Sequence, residues 1–229
     1  MILITLAGES SRFFTSGYKE VKYKLDYNGI TIIENILNYL PKNEPLVIGL
    51  NIRFEDYNFF ESILIKMNFK NFQIIEIENT KGQLDTVFKV LREAKVSLND
   101  SLTVFNGDTI RKNYNWNFHN SDGVIEVFKG SGSHWSFIDK LGEVAIVKEK
   151  KRISDLCSNG LYYFKSINMI IENYKNYNSN LEEIYISEFY NYLIKKGYRI
   201  TGQLIDKNDL VFCGTPKEYG IALKQLKDE

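Results

Sequence analysis

The sequence predicts an α/β fold: a mixed, mostly parallel sheet with helices on both faces, in a single domain. Three observations carry that expectation. In the N-terminal half, short β-branched runs alternate with longer stretches of helical period, the rhythm of strand–helix–strand units. The chain has 229 residues, enough for one large α/β domain, and no internal repeat or linker tract divides it. Its composition, 44% hydrophobic and 25% charged, is that of an ordinary globular protein and excludes disorder.

Ile2 to Leu6 is apolar and reads as the first strand. It runs into Ala7-Gly8-Glu9-Ser10-Ser11-Arg12, a small turn whose glycine lets backbone N–H groups approach a triphosphate. Arg12 and Lys22 supply separated positive charges for phosphates. Neither a GxGxxG fingerprint nor a GxxxxGK[ST] loop is present. Thr31 to Leu40 has helical spacing, with Thr31 as N-cap and Pro41 as stop. Leu46 to Leu50 is a second buried strand, Phe54 to Met67 a helix, and Phe72 to Ile77 a third strand. Gln83 to Ala94 is helical, and Leu102 to Phe105 is a strand ending at Asn106-Gly107-Asp108. This order is Rossmann-like.

The rhythm then changes. Gly123 to Phe128, Trp135 to Ile138, Val144 to Val147 and Gly160 to Phe164 are short strand-like runs. Glu182 to Lys196 and Pro216 to Leu226 are the two remaining helices, with a strand at Tyr198 to Leu204 between them. The chain reads as one domain, with a nucleotide-handling half, 1–120, and a second half, 121–229, that adds a lid-like substrate region and the C-terminal helices.

Lys and Arg (29) balance Asp and Glu (29), which argues against a whole-protein footprint for nucleic acid or anionic membrane. Cys157 and Cys213 form neither a zinc pattern nor a disulfide framework, so a reduced, cytoplasmic setting is expected. The first apolar run is too short for a signal peptide or a membrane span. Ligands of open α/β sheets sit at the carboxyl ends of the strands. The Ala7–Arg12 turn, the stretch Thr80-Lys81-Gly82-Gln83 and the Asn106-Gly107-Asp108 turn all fall there and should converge on one crevice.

Here the residues become recognisable. LAGESSRFFTSGYKEVK resembles the MAGxGSRFxxxGYxxPK motif of one branch of the sugar-phosphate nucleotidyltransferases, with Arg12, Phe13, Gly17, Tyr18 and Lys22 in register. KGQLDTV (81–87), NGDT (106–109), HWSFIDKLGEVAIVKEKKRIS (134–154), NGLYYFKS (159–166) and CGTPKEY (213–219) follow in the family's order. The resemblance spans nearly the whole chain and implies a nucleotide-diphospho-sugar transferase-like fold.

It also implies a reaction: a nucleoside triphosphate and a phosphorylated small-molecule acceptor give a nucleotide-linked product and pyrophosphate. In that scheme Leu6, Ala7, Gly8, Glu9, Ser10 and Ser11 hold the nucleotide, and Gly82 and Gln83 lie against its base. Arg12 and Lys22 are catalytic cations, and Asp108 is both catalytic and the ligand of Mg²⁺. Glu149, Lys150, Asn159 and Gly160 match the acceptor-binding part of the pattern. The rest of the 148–152 charge run reads as a solvated face, His134 as structural or solvent-facing, and Trp135 as core. CTP leads among the triphosphates, on the shortness of the chain, with UTP and dTTP as alternatives. A catalytically inactive nucleotide-binding protein is the rival reading, and a homodimer is the family expectation.

Three positions depart from the family pattern. Ser10 stands where a glycine is usual, and Val21 replaces the proline before the catalytic lysine. Phe212 occupies the place of a second metal-binding aspartate. Asp108 then works with phosphates and water alone, or Asp206 or Asp209 assists it.

Overall fold

Alternation in the first strand sets the two faces of the sheet. Ile2, Ile4 and Leu6 are buried in one apolar cluster and Leu3 in another, as a two-residue period requires. The computed structural model describes residues 1–114, 118, 120–177 and 182–228. The first half contains β1 (Ile2–Leu6), α1 (Ser11–Thr15), β2 (Asp26–Tyr27), β3 (Ile30–Thr31), α2 (Ile32–Asn38), β4 (Leu46–Asn51), α3 (Tyr57–Lys66), β5 (Phe72–Ile77), α4 (Gln83–Glu93), β6 (Leu102–Asn106) and β7 (Thr109–Arg111). The second contains β8 (Gly123–Lys129), β9 (Ser136–Ile138), β10 (Gly142–Glu143), β11 (Val147–Glu149), β12 (Leu156–Phe164), α5 (Ile167–Asn176), α6 (Ile186–Lys195), β13 (Ile200–Leu204), β14 (Leu210–Phe212) and α7 (Pro216–Asp228).

The main sheet runs β10-β13-β8-β12-β6-β1-β4-β5. β6, β1, β4 and β5 are mutually parallel, β12 is antiparallel to β6 and β8, and β13 returns parallel to β8. One face is covered by α2, α3 and α7, through Ile33, Ile36, Phe60, Leu64 and Tyr219 among others. The opposite face carries α4, α5 and α6, through Val87, Val90, Ile170 and Phe189. The sheet is mixed, mostly parallel and covered on both sides, as the sequence predicts. α2 begins with a reciprocal cap: the Thr31 hydroxyl accepts the Glu34 N–H at 3.2 Å, and the Glu34 carboxylate accepts the Thr31 N–H at 3.0 Å. Such a cap is worth about 1 kcal/mol.

Four of the differences from the expected elements have a visible cause. The helix expected from Phe54 starts at Tyr57, because Glu55 takes a left-handed backbone (φ 52°) after a short 3₁₀ turn over Ile52–Phe54. Of the strand expected over Val144 to Val147 only Val147 is in a strand: β10 ends at Glu143 and β11 starts at Val147. Asp139 Oδ1 accepts the N–H groups of Ala145 and Ile146, at 3.1 and 3.2 Å, and draws that backbone off the ladder. The helix expected from Glu182 starts at Ile186, since the preceding residues bond to another loop. α5 was not anticipated; Ser166 caps it, accepting the Met169 N–H at 3.3 Å.

Candidate functional site

A crevice of about 780 Å³ opens at the carboxyl ends of β1 and β6, where the topology predicts it. All three polar loops line it. Leu6, Ala7, Gly8, Glu9, Ser11 and Arg12 come from the first, Lys81, Gly82 and Gln83 from the second, and Asn106, Gly107 and Asp108 from the third. Lys22, Glu149, Asn159 and Gly160 complete the predicted set. Two predicted residues are not in the lining, Ser10 and Lys150.

Ser10 is buried within the Ala7–Arg12 turn. It adopts φ 53° and ψ 22°, a left-handed conformation that normally favours glycine, and its hydroxyl accepts the Lys22 N–H at 3.2 Å. The loop and the lysine segment are thereby tied together. The Lys22 ammonium donates to Asp108 Oδ2 at 2.6 Å, so the two predicted catalytic groups form an ion pair across the crevice.

The loop carrying Gly82 is clasped from outside. The Ile184 N–H donates to the Lys81 carbonyl at 2.6 Å, and the Leu84 N–H to the Ile184 carbonyl at 3.2 Å. Asp85 holds the same loop by accepting the Lys81 N–H at 2.9 Å. Burial alone would raise the Asp85 pKa. Hydrogen bonds from the Lys81 N–H and the Tyr174 hydroxyl, together with Lys89, overcome that effect and lower it. Gln83 donates its amide to Asn106 Oδ1 and, at 3.4 Å, to the Thr5 hydroxyl, which leaves its carbonyl oxygen outside both bonds. Gly160 (φ 88°) closes against Asn106, whose amide a Cβ would overlap.

At the other end, the Glu149 carboxylate is held by the hydroxyls of Ser136 and Ser187, the latter at 2.8 Å. The Tyr162 hydroxyl beside it is pushed up to about 12 by burial, with the charge of Glu149 adding to the shift. Lys150 stands at the rim: its ammonium donates to the Tyr185 hydroxyl and lies 3.7 Å from Glu183. Asn159 donates to Glu126 at 2.6 Å, and its own Oδ1 accepts the Leu161 N–H at 3.0 Å. Glu126 is fully buried and paired with Arg111 through bonds of 2.9 and 3.1 Å.

The carboxylates proposed to assist Asp108 do not reach the crevice. Asp209 is 3.5 Å from Arg111 and accepts from Asn113 at 2.8 Å, while Asp206 caps the turn at Asn208. Trp135, expected in the core, is half-buried and lines the crevice, against Phe128 and Phe212. Sequence reasoning missed Asn106 as a bridge, the two serines around Glu149, and Glu218. The Glu218 signal was present, as the fourth residue of a Thr-x-x-Glu start to α7.

Comparison with protein-family models and with curated proteins returns no match. Solved structures do match. A nucleoside-diphosphate-sugar pyrophosphorylase from Vibrio cholerae RC9 is 36% identical, with a TM-score of 0.91 over 98% of this chain and 100% of its own. A UDP-glucose pyrophosphorylase complexed with UDP-glucose has a TM-score of 0.78 at 17% identity, over 99% and 98% of the two chains. An inositol-1-phosphate CTP transferase from T. maritima has a TM-score of 0.72 at 13% identity, over 99% and 96%. The last two share the fold. The identity and full-length coverage of the first, on a crevice built from the predicted loops, place the chain in the sugar-phosphate nucleotidyltransferase family, and it is a nucleotidyltransferase.

Proposed function

We propose that the chain joins a nucleoside triphosphate, with CTP favoured, to a phosphorylated acceptor and releases pyrophosphate. The product is an activated building block for a surface polysaccharide, made in the cytoplasm by a homodimer. The observation that carries this reading is the Lys22–Asp108 pair at 2.6 Å, set between the phosphate-loop turn and the acceptor residues. Acceptor phosphate attacks the α-phosphorus, the bond to pyrophosphate breaks, and the charge spread over the phosphate oxygens must be neutralised throughout. Arg12 faces the leaving pyrophosphate, and the Lys22 ammonium neutralises the α-phosphate and the acceptor phosphate. No covalent intermediate is required, so positioning and charge supply the rate.

The Gln83 carbonyl is an acceptor for a base N–H, and its amide is fixed by Asn106 and Thr5. Such an acceptor suits the cytosine amino group and equally the N3–H of uracil or thymine, so UTP and dTTP are the alternatives. Glu149, set between two serine hydroxyls, is an acceptor for acceptor hydroxyl groups, with Asn159 and Gly160 beside it and Lys150 at the rim.

The residues present fit Mg²⁺. The Asp108 carboxylate lines the crevice beside Gly214, where a Cβ would stand 3.2 Å from Asp108 Oδ2 and crowd it. No group of three or more His, Cys, Asp or Glu stands together among the described residues, and Mg²⁺ beside phosphates needs only one or two carboxylates. When bound it supplies neutralisation of phosphate charge.

The test is pyrophosphate release with Mg²⁺, each of CTP, UTP and dTTP, and a panel of hexose 1-phosphates, polyol phosphates and phosphocholine. Release with one pairing is expected, reduced about 10²- to 10³-fold in Lys22→Ala, the scale of losing one preorganised charge donor. Tight nucleotide binding with no release across the panel would favour the inactive binding protein. Light scattering reads the dimer.

A further inference from the structure

The family position of the second metal-binding aspartate is filled here by an aromatic ring. Phe212 packs 4.8 Å from Trp135 and 5.0 Å from Phe128, ring centre to ring centre, at the end of β14. That strand is latched to the turn carrying Asp108. Phe212 pairs with Thr109 in the β7–β14 ladder, and the Cys213 N–H donates to the Asp108 carbonyl at 2.8 Å. The next residue, Gly214, lies between two carboxylates. A Cβ built on it would stand 3.2 Å from Asp108 Oδ2 and 3.4 Å from Glu218 Oε2. Asp108 and Glu218 therefore both reach the bare Cα of Gly214, where any side chain would crowd them.

We propose that Glu218, on the first turn of α7, is the second carboxylate of the cation site, taking over the role that Phe212 vacates. This rests on the nucleotidyltransferase reading and on Asp108 as a metal ligand. Both carboxylates line the crevice, and both are hard oxygen donors of the kind Mg²⁺ and Mn²⁺ prefer. The other carboxylates of this region are spoken for, Asp209 by Arg111 and Asn113, and Asp206 by the turn it caps.

Glu218 has a structural duty too. Thr215 Oγ1 accepts the Glu218 N–H at 3.2 Å and donates to Glu218 Oε2 at 2.9 Å, which starts the helix. Its other oxygen is 3.6 Å from His134 Nε2 and takes no part in the cap. A test must separate cap from ligand. Glu218→Gln retains a side-chain acceptor for Thr215 and the volume, and removes only the charge.

The experiment is Mn²⁺ binding to the whole protein without nucleotide, read from the electron paramagnetic resonance of the free ion, with thermal unfolding of each variant alongside. Saturable binding to wild type is expected, lost in Asp108→Asn, and weakened about 10- to 100-fold in Glu218→Gln, the range for losing a group that tunes a metal site. Glu218→Gln should unfold close to wild type. Adding Phe212→Asp to Glu218→Gln returns a carboxylate at the family position and should recover some of the affinity. Wild-type affinity in Glu218→Gln, with binding lost in Asp108→Asn, overturns the role of Glu218 and leaves the nucleotidyltransferase reading standing. Wild-type affinity in both variants, or no uptake by the wild type, removes Asp108 as a ligand and the proposal with it. Pyrophosphate release then decides the broader reading separately.

Discussion

Gly82 is a position where one methyl group meets backbone atoms that cannot rotate away. Its backbone, φ 120° and ψ −179°, lies in a region open essentially to glycine alone. A Cβ there would stand 2.7 Å from the Ile184 carbonyl oxygen and 2.8 Å from the Ile184 nitrogen. These are backbone atoms, and they are the same atoms that clasp Lys81 and Leu84. Gly82→Ala must therefore adopt a backbone worth about 1–3 kcal/mol of strain. To find room it must also break both of those hydrogen bonds, each with a net value of about 0.5–1.5 kcal/mol. The total is about 2 to 6 kcal/mol if both bonds go. Urea unfolding reads the share that falls on the whole domain. Where the loop opens instead, the deficit moves to nucleotide binding, since the loop must close before Gly82 and Gln83 can meet a base. The smallest total, about 2 kcal/mol, is some thirtyfold in affinity by calorimetry with CTP or UTP. A Gly82→Ala protein with both wild-type midpoint and wild-type affinity would refute the reasoning, because strain and lost bonds would have to appear in one or the other.

Two further outcomes follow from the same network. Glu126→Ala leaves the Arg111 guanidinium, 3% exposed, without its buried partner, and urea unfolding should show a loss of about 3–5 kcal/mol; a loss far below that would mean Arg111 finds compensation elsewhere. Asp85 has a lowered pKa in the folded chain, so it contributes stability that is fully present above its unfolded value of about 3.9 and is lost as pH falls through the lower native value. Asp85→Asn should be less stable at pH 7 and lose less on acidification below about pH 5; unfolding midpoints at a series of pH values check it, and equal slopes for both proteins would contradict it.

The regions of the fold legible in the sequence are those whose cause is local. β1, β4 and β6 are buried on both faces and therefore write themselves as mostly apolar, β-branched runs. Thr31 and Glu34 meet within one helical turn, so the start of α2 is visible in four letters. What escaped was caused at a distance. Residues 144–147 look like a strand until Asp139, across a turn, takes two of their N–H groups. Glu182 to Tyr185 look like helix until Ile184 is seen bonding to Lys81 and Leu84, far back in the chain. The site divides along the same line. Loops at strand ends could be named from motif and topology, but Ser187 holds Glu149 across 38 residues and no spacing announces it. For the same reason no spacing announces that Gly214 lies beside both Asp108 and Glu218.

The departures at Ser10 and Val21 preserve geometry by other means, and one of them can be reversed as a test. Ser10 occupies the left-handed region that explains a family glycine, at a cost of about 1–2 kcal/mol, and its hydroxyl bond to the Lys22 N–H offsets some of this. Val21, next to that lysine, sits at φ −63° and ψ 145°, close to the value a proline ring would impose. It is buried against the core and lies outside every strand and helix ladder of the described residues. Val21→Pro should therefore fix in the unfolded chain an angle the folded chain already has, and stabilise the protein by about 0.4–1 kcal/mol. Turnover should survive, because the Lys22 amine and its pair with Asp108 are untouched. A raised urea midpoint with unchanged slope is the expected result. A lowered midpoint would mean that the Val21 methyl groups contribute packing the ring cannot replace, and that the lysine is positioned here by burial rather than by backbone angle.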